Sequence, residues 1–165
     1  MKRINLVFFI ICFCVVSCKK EDDKSQKIVH ARFSFNFPDT VVVNKYYEGN
    51  INFRGDFDTV TTVLNKVINK KGRMIEYSFI KTQVLTNDEN NLKKSTKDTM
   101  FARSNISIPL FTKFDKLGIN YIDGIIKDEV WIDTKEIING KQEKRIRIIS
   151  NEFRATHKVF VIREK

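Results

Sequence analysis

The sequence predicts an all-β domain of about eight to nine short strands in antiparallel pairing, closed as a sandwich or a barrel. Three observations carry this. Apolar and polar residues alternate through "IVHARFSFNF", "RMIEYSFIKTQVL" and "MFARSNISIPLF", and period two with one apolar face marks a half-buried strand. Turn residues punctuate these runs at moderate spacing, as in two-sheet proteins. Outside residues 58–72 no stretch shows a helical stripe. Fourteen Phe against six Gly and two Pro supply core material in a chain of 165 residues, enough for one domain.

The first strand places Ala31, Phe33, Phe35 and Phe37 on one face and ends at Pro38-Asp39. "TVVVNKYY" reads as a second run, stopped by Glu48-Gly49-Asn50, and "INFRG" as a short third. Residues 58–72 are ambiguous. Val60, Val63, Leu64, Val67 and Ile68 form a helical stripe, with Asp58 as a cap and Gly72 as a stop. Five consecutive β-branched residues, Thr59 to Val63, resist helix and favour strand. The expectation is a strand over 59–64, then irregular or briefly helical chain to Gly72.

"RMIEYSFIKTQVL" follows as a long strand with Ile75, Tyr77 and Phe79 on one side and a bulge near Ile80. Residues 86–99, polar and without aromatics, read as a long exposed loop. In "MFARSNISIPLF", Pro109 marks a strand end or an edge. "INYIDG" and "GIIKDEVWID" give short β runs. Asn139-Gly140 between "VWIDTKEII" and "KQEKRIRII" is a strong hairpin signal, and "HKVFVIRE" closes the chain as a last strand.

All three cysteines lie in the first eighteen residues. Lys2 and Arg3 precede an uncharged apolar run from Leu6 to Val16, the length of a signal h-region and shorter than the ~20 residues that span a bilayer. Val15-Val16-Ser17-Cys18 resembles the lipobox of bacterial lipoproteins. The resemblance implies that residues 1–17 are a cleaved signal peptide and that the Cys18 thiol takes a diacylglyceryl group, with palmitate-type chains holding the protein to a membrane without spanning it. Residues 18–27 then form the lipidated cysteine and a flexible tether, and 28–165 the β domain.

Lys20-Glu21-Asp22 resembles the surface-export signal of lipoproteins from Bacteroidota-type bacteria. "VNKYYEGNINFRGDFDTVTT" and "GIIKDEVWI" are similar to stretches of the small immunoglobulin-like lipoproteins of that group. These resemblances imply an antiparallel immunoglobulin-like β-sandwich at the outer membrane, on the cell surface or alternatively on the periplasmic face. They carry no catalytic residues.

Losing residues 1–17 removes two positive charges from a formal net charge of +10 and no acidic residue. A basic exported domain suits acidic glycans or anionic envelope proteins and does not suggest nucleic acid. Cleavage and lipidation leave no cysteine for a disulfide, thiolate metal site or nucleophile. His30 and His157 have no nucleophile elbow near them and no metal-ligand spacing. The carboxylates Asp56, Asp58, Asp115, Asp123, Asp128, Glu129 and Asp133 are scattered; those at 115, 123 and 133 suit turns. Arg54-Gly55-Asp56 spells the tripeptide integrins read, yet sits at a strand–turn junction. The candidate ligand-binding residues are Lys93, Lys94 and Lys97 in the polar loop, because loops on a rigid scaffold carry recognition. Lys141, Lys144, Arg145 and Arg147 form a second basic stretch. The expectation is a non-enzymatic binding module with no metal or other cofactor. The alternative is a structural accessory subunit of an outer-membrane transport or secretion assembly.

Overall fold

The computed structural model describes residues 31–66, 68–69, 71–138 and 140–164. Cys18, Lys20, Glu21, Asp22 and His30 lie outside them. The described chain runs β1 (Arg32–Asn36), β2 (Thr40–Val42), β3 (Tyr46–Arg54), β4 (Lys71–Thr82), a short helix α1 (Glu89–Ser95), β5 (Asp98–Phe101), β6 (Ser107–Lys113), β7 (Gly118–Ile138) and β8 (Lys141–Ile162). The fold is all-β, in two sheets. One has the order β1-β3-β6, the other β2-β8-β7-β4-β5. All pairings are antiparallel except β2 with β8.

One core lies between the sheets. Ile51, Phe53, Ile108 and Leu110 from the three-stranded sheet pack with Ile75, Tyr77, Phe79, Ile122, Ile126, Ala155, Val159 and Val161 from the other. Each buried side chain of this size is worth about 1.5–3 kcal/mol relative to exposure. The alternation of Ile75, Tyr77 and Phe79 is the inward face of β4, as the sequence predicts. The Tyr77 hydroxyl donates to the Ala155 carbonyl at 2.8 Å, which satisfies its only buried polar atom. Burial pushes this phenol far above its ordinary pKa.

Several boundaries differ from the sequence reading. The expected strand over 59–64 is absent. Asp56–Thr59 makes a single 3-10 turn that buries Phe57, and the chain beyond it is irregular apart from an isolated bridge of Leu64 to Arg73. Among the described residues no strand pairs with its β-branched residues, and a strand without a ladder gains little from propensity. "TVVVNKYY" breaks at Asn44, whose φ of 62° turns the chain, so its halves join different sheets. The expected stop at Glu48-Gly49-Asn50 does not occur; β3 runs through it to Arg54. β4 pairs in unbroken register from Lys71 to Thr82, with no bulge at Ile80.

The loop 86–99 is not simply an exposed loop. Its centre is α1, capped by the Asp88 carboxylate on the Asn90 and Asn91 N–H groups, and it buries Leu92. "MFARSNISIPLF" divides between β5 and β6, which lie in different sheets. Pro109 is on β6, an edge strand, where a missing N–H is tolerated.

The largest difference is length. The runs expected as short strands in 118–162 fuse into two strands of 21 and 22 residues, paired continuously from Gly118↔Val161 to Ile138↔Lys141. The turn falls at the expected place, with Gly140 at φ 78°, a backbone conformation that glycine adopts without Cβ strain. β4 stops pairing at Ile132. Beyond it, residues 133–138 and 141–146 form a two-stranded arm about 20 Å long at ~3.3 Å per residue.

Candidate lysine groove and the ion pairs that frame it

A groove of about 690 Å³ opens where the ends of several elements converge. Lys81 comes from the end of β4, Lys94 and Lys97 from α1 and the turn after it, and Lys113 and Lys116 from the end of β6 and the turn into β7. Asp98 and Asp115 are the acidic groups on its wall. Asp98 stands 4.0 Å from Lys81. The Lys113 ammonium lies 5.0 Å from the centre of the Tyr46 ring, a cation–π approach. Among the described residues no salt bridge joins Lys94, Lys97, Lys113 or Lys116 to a carboxylate.

The walls are tied together by backbone carbonyls. The Gln83 amide donates to the Leu117 carbonyl at 3.0 Å, linking the end of β4 to the β6–β7 turn. The Asn120 amide donates to the Lys116 and Gly118 carbonyls at 2.9 and 3.1 Å. The Lys97 N–H donates to the Phe79 carbonyl at 3.1 Å. Chemically the arrangement offers several ammonium donors to one extended anion.

Of the three lysines singled out in the sequence, the fold brings Lys94 and Lys97 together and sends Lys93 elsewhere. Lys93 pairs with Glu152 on β8, over the outer face of the larger sheet. This pair holds Lys93 above its ordinary pKa, the hydrogen bond to Glu152 being the main cause. Lys81, Lys113 and Lys116 were not legible as partners, because Lys81 at the end of β4 lies 32 and 35 positions from the other two, which sit at the end of β6 and in the turn after it.

One buried ion pair and one partly buried pair also escaped the sequence reading. Arg73 is fully buried. Its Nε and Nη2 donate to the two Asp128 carboxylate oxygens, both at 2.7 Å, and its Nη1 donates to Asp58 at 2.6 Å and to the Thr61 carbonyl at 3.0 Å. Burial opposes the charge on Arg73, but the two carboxylates outweigh it and hold its pKa above the ordinary value. Asp58 is therefore an anchor for the β3–β4 connection, not a helix cap. Gly55 is needed beside it, since a Cβ there would stand 2.6 Å from an Asp128 oxygen. The Arg54-Gly55-Asp56 triplet thus belongs to this packed junction.

Asp123 is buried in the middle of β7 and not in a turn. It accepts from Arg154 at 3.0 and 2.7 Å and from Thr156 at 2.7 Å. A signal for the Arg73 pair existed in the sequence. Arg73 continues the Ile75-Tyr77-Phe79 face, and Asp128 sits between Ile126 and Val130 on the same inward register.

His157 faces inward as well. It stacks on Phe35 with ring centres 5.0 Å apart and meets Phe37 edge-on at 6.0 Å. Its Nε2 lies 3.4 Å from the exposed Asp39 carboxylate. No group of three or more His, Cys, Asp or Glu side chains among the described residues is placed to hold a metal ion. No described helix is long and apolar enough to cross a membrane. No protein-family model, curated protein or solved structure matches this chain.

Proposed function

We propose that this chain is a lipid-anchored, surface-exposed bacterial lipoprotein of the outer membrane that acts as a non-enzymatic binding module for an acidic glycan or a comparable polyanion. The observation that carries the reading is the groove, where five lysines from separate elements converge. Anions steered to such a cleft gain from several ammonium groups at once. The lipobox-like Val15-Val16-Ser17-Cys18 and the export-like Lys20-Glu21-Asp22 support the anchor and the address.

The domain is an immunoglobulin-like sandwich in this reading. Its strand order supports that: β1, β3 and β6 correspond to strands A, B and E of one sheet. β4, β7 and β8 correspond to C, F and G of the other, with β5 beside C.

The test is binding of the full chain to a heparin-type acidic oligosaccharide, with neutral dextran as control. Binding should weaken with salt. Lys94→Glu with Lys97→Glu should cut it at least tenfold, whereas Lys93→Glu should leave it nearly unchanged. Equal losses from both variants would sink the groove. The address is tested by protease shaving of intact cells with Lys20, Glu21 and Asp22 changed to Ala. Protection in that variant alone supports export, and protection of both proteins points to the periplasmic face.

The arm favours a second reading, that of a structural accessory subunit that docks on an envelope assembly. Residues 141–148 are all exposed and reach beyond the core. A stable membrane partner that co-purifies with the wild type, and is lost when the arm tip is removed, would support it.

A further inference from the structure

The arm has two faces. Direct pairing of Ile132↔Arg147, Thr134↔Arg145 and Glu136↔Glu143 extends the inward face of the sheet as a polar surface. The outer face carries Trp131↔Ile148, then Ile146 and Ile137. These three isoleucines are 56%, 63% and 79% exposed, respectively. The arm also has open edges. β8 pairs with β2 only over 160–162, so no described strand pairs with the outer edge of residues 141–159.

An open edge presents unpaired N–H and C=O groups to any extended chain. Proteins blunt such edges with Lys, and basic residues alone would read that way. Blunting does not account for the exposed isoleucines alternating with the charges. Along β8, Lys141, Glu143, Arg145 and Arg147 point to one face, and Gln142, Lys144, Ile146 and Ile148 to the other. The segment 141–149 carries four basic residues and one acidic residue. A second copy pairing edge to edge would bring two basic strands together. The free edge of β7 has mixed charge, from Asp133, Lys135 and Glu136.

We propose that the β8 edge of the arm, over residues 141–149, accepts an extended strand from an acidic partner protein, with apolar and acidic residues alternating. Its main chain completes the ladder. Its apolar side chains continue the Trp131, Ile148 and Ile146 surface, and its carboxylates lie beside Arg145 and Arg147. This surface is separate from the lysine groove and rests on the docking-subunit reading.

The experiment uses the full chain and a nine-residue peptide alternating valine and glutamate, with the valine–lysine peptide as control. Hydrogen exchange is followed at the amides of 133–149. The acidic peptide should slow exchange at alternate amides of 141–149 and spare 133–138. Arg145→Glu with Arg147→Glu should weaken that peptide at least tenfold and admit the basic one. Ile146→Ser with Ile148→Ser should weaken it about three- to tenfold. Absence of binding, or binding without protection of β8, overturns the inference. So does protection without peptide, whether it grows with protein concentration (a second copy) or does not (a segment of the same chain). If the peptide fails while a membrane partner still depends on the arm, strand addition is wrong and the docking reading stands. If no partner depends on the arm, the docking reading fails on its own.

Discussion

Replacing Arg73 by Met should be among the most costly single changes in this domain. The substitution keeps much of the side-chain volume and removes the charge. Asp128, fully buried, then loses both 2.7 Å hydrogen bonds and its counter-ion. Breaking a buried pair from one side costs about 3–5 kcal/mol. With a urea m-value of about 2 kcal/mol/M for a domain of this size, the unfolding midpoint should fall by about 1.5–2.5 M. Asp58→Asn should cost less, about 1–2 kcal/mol, because the Asp58 side chain is 20% exposed and its loss leaves the Asp128 pair intact.

The sole tryptophan, Trp131, pairs with Gly72 beside Arg73 and reports unfolding by fluorescence. Burial already pushes the Asp128 carboxyl up against the pull of Arg73. In Arg73→Met that pull is gone, so the folded state favours protonated Asp128 more than the unfolded chain does. A carboxylate raised in this way lowers stability as pH rises, and the deficit of the variant should shrink between pH 7 and pH 5. The double change Arg73→Met with Asp128→Leu should recover part of the loss. A single-variant loss under 1 kcal/mol, a deficit that does not change with pH, or a double variant worse than the single would refute the reasoning.

Three further outcomes can be checked. His157→Phe should leave the melting temperature level or raised, since the ring already stacks on Phe35 and its buried Nε2 makes no hydrogen bond among the described residues; a clear drop would mean that Nε2 has a partner. Removing residues 135–144 and closing the arm with a short turn should move the melting temperature by only a few degrees, because these residues lie outside the core; loss of folding would show that the arm stabilises the sheets. The hydrogen bond from Lys127, with Ser150 adding to it, holds Glu129 below the ordinary glutamate range. Its contribution is present above the unfolded pKa and lost as pH falls through the folded one. Lys127→Met should therefore raise the Glu129 pKa in an NMR titration, and no movement would contradict the pairing.

The sequence by itself determined the β class, because period-two alternation survives any arrangement of the sheets. Ile75, Tyr77 and Phe79 point inward wherever β4 pairs, and Gly140 favours a turn in any hairpin. Signal-like and lipobox-like features are equally local. Tertiary structure decided what depends on distant partners. Thr59 to Val63 has strand propensity, but Arg73 and Asp58 hold the chain before it in a turn and no described strand pairs with it. Leu92 turned a polar loop into a helix by finding the outer face of a sheet to cover. Lys94 and Lys97 became one wall of a groove only when Lys81, Lys113 and Lys116 arrived from other elements. The arm exists because β7 and β8 keep their ladder after β4 ends. Alternation tells which way a side chain points; it does not tell where the neighbouring strand stops.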